Sequence, residues 1–197
     1  MDRLIQNVID YVKKNGGVVF ENPYYLNLFG IRYEENVNTF NDKLIYYWFD
    51  EKKNVHYTKV DRFTTDAGFR SLQKPVNSKG CAILKEGWYR RLWKKGLHNG
   101  KYSALVQVGE CKVYRDNNKD KKLDKDESKV DKGYFGINLH RANASGTSYA
   151  VENWSAGCQV FANAGDFSAF MAKVNKANQS GQVYFSYMLA NSKDFKI

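Results

Sequence analysis

From Gly30 onward the chain is a succession of short runs rich in β-branched and aromatic residues, each closed by a polar turn, and no other feature limits its fold as tightly. The runs GIRY (30–33), KLIYYWF (43–49) and VHYTKV (55–60) are separated by Glu34-Glu35-Asn36 and by Asp50-Glu51-Lys52-Lys53-Asn54, the pattern of a strand meander. After Thr64-Thr65-Asp66-Ala67-Gly68 and Pro75, the stretches CAILKEGWYR (81–90) and SALVQVGECKVYR (103–115) read as two further strands, and QVYFSYML (182–189) as the last. Helical spacing is confined to two places. Leu4, Ile5, Val8, Ile9 and Val12 share one face of residues 2–14, with Asp2 placed to cap the start and Gly16-Gly17 to end it. Phe167, Phe170, Met171 and Val174 share a face of residues 166–177. The expectation is a mainly β (α+β) fold: an antiparallel β core with two or three peripheral helices. Residues 1–29 form an N-terminal helix and lead-in, and residues 30–197 a β-rich domain. A chain of 197 residues has room for one full core.

Composition narrows the class of protein. With 43% apolar and 15% aromatic residues, the chain is not a disordered one. The 31 Lys+Arg against 21 Asp+Glu leave a net charge of +10, which favours an anionic partner: nucleic acid, anionic lipid or a cell-wall polymer. No RNA- or DNA-binding motif is recognisable, and nucleic acid is not expected as a partner. Arg90-Arg91 and Lys94-Lys95 are interleaved with Trp88, Tyr89 and Trp93, which reads either as a binding surface or as a solvated face beside core aromatics. No apolar run is long enough for a membrane span. The N-terminus carries Asp2 and Asp10 and lacks a secretory h-region, so a protein synthesised in the cytoplasm and acting on the periplasm or cell wall would need another route there. Cys81, Cys111 and Cys158 are odd in number and have no CxxC spacing, which indicates neither a disulfide framework nor a zinc site. The first two, on strand-like runs, read as buried inert thiols.

Cys158 differs. The stretch from Gly133 to Phe161 delivers His140 at the end of an apolar run and Cys158 in the turn Ser155-Ala156-Gly157-Cys158. A thiol becomes a competent nucleophile when an imidazole can take its proton, which predicts a thiolate near neutral pH. Gly157, without a Cβ, suits a tight turn in which the N–H groups of Gly157 and Cys158 form an oxyanion hole. Ser155 is placed to hydrogen-bond the turn or a substrate. His140 is the candidate general base and later general acid. Trp154 reads as a turn anchor or a groove wall, and Asn138 and Asn153 as residues that orient His140. His56 and His98, in polar surroundings, read as surface residues.

An apolar strand ending in His, a polar loop and then Ser-x-Gly-Cys resembles the catalytic domain of the L,D-transpeptidase family, whose motif is a His-Gly pair followed by Ser-His-Gly-Cys, one variable residue and Arg. The resemblance spans 63–161 in pattern, with His140 and residues 155–158 as its specific part. It implies an antiparallel β-rich L,D-transpeptidase-like catalytic fold, a thioacyl enzyme on Cys158, and peptidoglycan stem peptides as substrates. Arg141 stands where the family has Gly, Ala156 where it has His, and Val160 where it has Arg. Arg141 and Gln159, with Trp154, are therefore the candidates for substrate binding. These departures fit a divergent branch such as a phage or mobile-element, endolysin-like cell-wall enzyme. The rival from another class is a non-catalytic cell-wall-binding or virion-structural module on the same fold.

A second constellation follows Arg115. Asp116, Asn118, Asp120, Asp124 and Glu127 fall at positions 1, 3, 5, 9 and 12 of a calcium loop, although Lys121 replaces the glycine of the sixth position. The chemistry at Cys158 requires no cofactor, and calcium here would be structural; the alternative is a solvated hairpin loop.

Overall fold

The computed structural model describes residues 2–196. Helix α1 (Arg3–Lys14) starts where expected, with the Asp2 carboxylate accepting from the Leu4 N–H at 2.8 Å, an ordinary N-cap. It leads into β1 (Asn27–Arg32), β2 (Asp42–Phe49) and β3 (Val55–Thr64). The short helix α2 (Phe69–Gln73) separates these from β4 (Cys81–Leu84), β5 (Gly87–His98), β6 (Tyr102–Gln107), β7 (Cys111–Asp116) and β8 (Val130–Gly133). Then follow β9 (Leu139–Arg141), β10 (Gln159–Phe161), α3 (Ala164–Gln179) and β11 (Tyr184–Asn191). The fold is mainly β with α-helices added. Among the described residues, no helix is long and apolar enough to cross a membrane.

Eight strands close a barrel in the order β1-β11-β5-β6-β9-β10-β3-β2, and β4-β7-β8 form a separate three-stranded sheet. Pairing is antiparallel except at two places: β1 with β11 and β9 with β10 run parallel. Neither stretch read as one long strand stays in one sheet. CAILKEGWYR breaks at Lys85-Glu86, sending β4 to the small sheet and β5 to the barrel. SALVQVGECKVYR breaks at Val108-Gly109-Glu110, where the Val108 and Gly109 N–H groups both donate to the Leu92 carbonyl. The expected 29/30 boundary falls inside β1, and the N-terminal helix is packed on the barrel.

Strand alternation decides where the core sits. Leu28, Leu44, Tyr46, Tyr187 and Leu189 face one apolar cluster together with Phe63, Leu105, Leu139 and Phe161, and α3 adds Phe167, Phe170 and Val174. The intervening residues Phe29, Ile31, Ile45, Tyr47, Met188 and Ala190 face a second cluster under α1, built with Ile5, Val8, Ile9 and Val12. Burial of those four α1 side chains is worth roughly 1.5–3 kcal/mol each. Strand β1 is thus buried along its whole length. Gly30 is required there because a Cβ would stand 1.8 Å from the Tyr187 hydroxyl. Tyr89 and Trp93 belong to the core, Trp93 completely, and Trp88 is half-buried against it, while Arg90, Arg91, Lys94 and Lys95 are exposed. Cys81 and Cys111 are buried free thiols, and burial pushes them up to about 11 and about 12 respectively.

One charged residue is fully buried at the end of β1. The Arg32 guanidinium donates to Thr65 Oγ1 (2.9 Å), the Thr65 carbonyl (2.8 Å), the Leu84 carbonyl (2.7 Å) and Glu86 Oε1 (2.9 Å), and lies 2.7 Å from Asp66 Oδ1. It joins the barrel to the start of the small sheet. Arg32→Met is expected to cost about 3–5 kcal/mol, because it strands buried carboxylates without a counter-charge. Urea denaturation checks this; a midpoint within error of the wild type would contradict it.

Candidate active site

The parallel pairing of β9 with β10 brings the two motif residues together. The register sets Val160 beside His140 and Gln159 beside Leu139, and the Gln159 N–H donates to the Asn138 carbonyl at 2.8 Å. Cys158 is two residues before Val160, so Asn138, His140 and Cys158 share the face opposite to Leu139, Gln159 and Phe161, which point into the barrel.

The turn that presents Cys158 is held from behind. Ser155 is fully buried; its hydroxyl donates to the Cys158 carbonyl at 2.9 Å and accepts from the Gly157 N–H at 3.0 Å. Gly157 has φ +121°, and a Cβ there would stand 1.8 Å from the Ala82 carbonyl oxygen. The Gly68 N–H donates to the Ser155 carbonyl at 3.0 Å. Gln159 is completely buried, accepting from the Tyr187 hydroxyl at 2.8 Å and donating to the Thr65 carbonyl at 3.4 Å.

Two expectations change as a result, and a third, Ser155 on the turn or on a substrate, resolves to the turn. Gln159 supports the turn and does not reach a substrate. Ser155 is spent on the turn. The Gly157 N–H is committed to Ser155, which leaves the Cys158 N–H, unbonded among the described residues, and the Asn138 N–H, close enough to the thiol to favour its charged form, as the donors for an oxyanion.

The resting pair is neutral rather than thiolate and imidazolium. Burial pushes the Cys158 thiol up to about 11, offset in part by the Asn138 N–H, and its S–H donates to the Gly136 carbonyl at 3.3 Å. Burial, and after it the neighbouring His98, hold His140 down to about 3. No hydrogen bond joins sulfur and imidazole. His140 Nδ1 lies 2.8 Å from the Arg141 carbonyl; a carbonyl only accepts, so the neutral ring carries its proton on Nδ1 and leaves Nε2 as the basic atom.

Several residues of this site carry no motif. His98, at the end of β5, stacks on His140 with ring centroids 3.9 Å apart and planes 20° apart; it is not the isolated surface residue expected. His56 is exposed and pairs with Asp50. Tyr102 donates to the Arg141 carbonyl at 3.2 Å. Gln107 accepts from the Phe135 and Ile137 N–H groups at 3.0 and 2.8 Å and donates to the Gly133 carbonyl, fixing the approach to β9. Asn138 engages His98 rather than His140. Nothing in the spacing of these residues marks them, because strand pairing alone brings β5 and β6 to β9.

A cavity of ≈ 520 Å³ opens beside His140, with His98, Lys101, Tyr102, Arg141 and Trp154 among its other walls and no carboxylate; Cys158 does not line it. The Arg141 guanidinium stacks over the Tyr102 ring at 4.1 Å. Trp154 is 38% exposed and forms a wall together with Asn153. A second recess of ≈ 410 Å³ meets the turn at Ala156 and is lined by Arg115, Tyr134 and Phe135.

The 116–127 loop lies elsewhere. Asp116 accepts from the Asp124 N–H at 3.1 Å, Asn118 donates to Asp124 at 2.6 Å, and Asp120 accepts from the Lys122 N–H at 2.8 Å. Glu127 turns away to Lys85 and Tyr114. Four of the five positions that match a calcium loop in sequence are thus linked by hydrogen bonds and Glu127 lies apart from them; among the described residues no three His, Cys, Asp or Glu side chains converge as metal ligands.

In comparisons with known proteins, no family model, curated sequence or solved structure matches this chain.

Two outcomes follow from this geometry. Gly157→Ala places a methyl group on a backbone carbonyl at positive φ, and a loss of about 2–4 kcal/mol is expected, read as a lower urea midpoint; an unchanged midpoint contradicts it. Unfolded His140 binds a proton near 6.5 and the folded ring only near 3, so its contribution is complete above pH 6.5 and lost as pH falls toward 3. Wild type should lose up to about 1.4 kcal/mol per pH unit more than His140→Gln in that window, measured by urea midpoints at pH 4, 5 and 7; equal pH slopes refute it.

Proposed function

We propose that this chain is an L,D-transpeptidase-like cysteine enzyme acting on peptidoglycan stem peptides. One observation carries the reading: the β9–β10 register puts Cys158 and His140 on the same face, and a cavity with Lys101 and Arg141 in its walls opens at His140. Support also comes from the tautomer of His140, which leaves Nε2 as the base, from the Asn138 N–H near the sulfur, and from the uncommitted Cys158 N–H.

In the proposed reaction Cys158 Sγ attacks an amide carbonyl while its proton passes to His140 Nε2. Because thiol and imidazole both rest neutral, proton transfer accompanies attack instead of preceding it. The oxyanion is held by the Cys158 and Asn138 N–H groups. The C–N bond then breaks, His140 returns the proton to the departing amine, and a thioester remains on Cys158. Water as acceptor makes the enzyme an L,D-carboxypeptidase or endopeptidase, and an amine acceptor makes it a transpeptidase. Arg141 and Lys101 favour a substrate carboxylate in the cavity.

A second reading, a non-catalytic cell-wall-binding or virion-structural module, has one observation in its favour: the thiol points to the Gly136 carbonyl and not to His140.

Intact-mass analysis after incubation with a carbapenem, and separately with purified muropeptides, decides between them. The expected result is one drug adduct on the wild type, none on Cys158→Ala, and cleaved or crosslinked muropeptides from the wild type only. Unmodified protein and unchanged muropeptides, with wall binding retained by Cys158→Ala, would establish the binding module.

A further inference from the structure

His98 reaches the site through a hydrogen-bond chain whose direction is fixed from one end. The Gln107 backbone N–H donates to Asn138 Oδ1 at 2.9 Å. A backbone N–H can only donate, so the Asn138 amide has its oxygen toward Gln107 and its NH₂ toward His98. That NH₂ meets His98 Nδ1 at 3.1 Å, and Nδ1 must therefore accept. The proton of the neutral ring then sits on Nε2; Asn99 Nδ2 lies 3.2 Å from that atom, and because an NH₂ group cannot accept, the exposed Asn99 amide receives the proton only when turned over, with its oxygen toward the ring. A second proton on Nδ1 would face the NH₂ group and lose the bond.

The burial and the neighbouring cations act in the same direction. His98 meets the Tyr102 ring at 5.5 Å and the His140 ring face to face at 3.9 Å, and Lys101 and Arg141 line the same cavity without a carboxylate among its walls. Burial also disfavours the charged form of His98. A charge on His98 would lie directly against His140 and oppose the imidazolium that forms when the thiol is deprotonated.

We propose that His98 is a positioning residue: Asn138 locks it in the neutral Nε2–H form, and its stacked ring fixes His140 so that His140 alone receives the Cys158 proton. The proposal rests on the cysteine-enzyme reading for its purpose but not for its geometry. The flat neutral ring performs the task, and its nitrogens serve only to anchor it to Asn138.

The test combines imidazole ¹⁵N NMR with the pH dependence of Cys158 alkylation by iodoacetamide, in wild type, His98→Phe and His98→Ala. The expected wild-type spectrum shows His98 as the Nε2–H tautomer and neutral at pH 6, and His140 as the Nδ1–H tautomer. His98→Ala is expected to slow alkylation about tenfold or more and to blur the His140 tautomer, as misplacement of a base does. His98→Phe, which keeps a flat neutral ring, is expected to restore the His140 signal and most of the rate. A His98 that is protonated at pH 6, a Phe variant as impaired as the Ala variant, or an Ala variant equal to wild type would each overturn the proposal. The NMR result stands whether or not muropeptides are turned over, so failure of the enzyme reading and failure of this one are distinguishable.

Discussion

The Arg32 guanidinium is the fixed point around which the rest of the molecule is arranged. It lies fully buried at the end of β1 and contacts the end of β3 and the junction between β4 and β5. Thr65, which it holds through both carbonyl and hydroxyl, also receives the Gln159 side chain, and three residues later Gly68 holds the Ser155 carbonyl. Leu84, its other carbonyl partner, belongs to the strand whose Ala82 carbonyl closes over Gly157. The two walls that confine the Cys158 turn are thus tied to one side chain. Desolvating that charge is expensive, and three carboxylates surround it in compensation. Burial, and after it Asp66, push the Asp42 carboxyl up to about 7, even though Asp42 accepts from Tyr33 and Thr65.

In the site built on this support His140 is buried and Cys158 half-buried, and that desolvation sets its electrostatics. Burial is the largest influence on both Cys158 and His140 and makes each neutral. A pair of this kind does not hold a standing thiolate. In the proposed reaction, charge would appear on it only when a substrate carbonyl is at hand to take the negative end. A neutral thiol is also less open to oxidation than a thiolate.

Much of this was legible in the chain. The α1 face, its Asp2 cap, the α3 face and the β-rich meander follow from periodicity, which local sterics enforce. The Cys158 turn was legible because only glycine tolerates the approach of Ala82, and Gly157 precedes the thiol. Less legible was what lies behind and beside that turn. Gln159 was read as facing a substrate, yet alternation along β10 turns it inward once Cys158 faces out. His98 was read as a surface residue because its partners, Asn138 and His140, come from another strand. The two long β runs were read whole because the breaks at Lys85-Glu86 and Val108-Gly109-Glu110 are made by strands that leave for different sheets.

By itself the sequence determined the faces of α1 and α3, the β-rich character of the rest, which thiol stands in a glycine turn, and the net positive charge, since each is read from neighbours a few residues away or from composition. Tertiary structure alone decided the closed barrel with its two parallel pairs, the common face of His140 and Cys158, the neutral state of both, and the histidine stacked beside them. Those properties arise from groups tens of residues apart along the chain, and the cost of burying charge among them exists only once the barrel has closed.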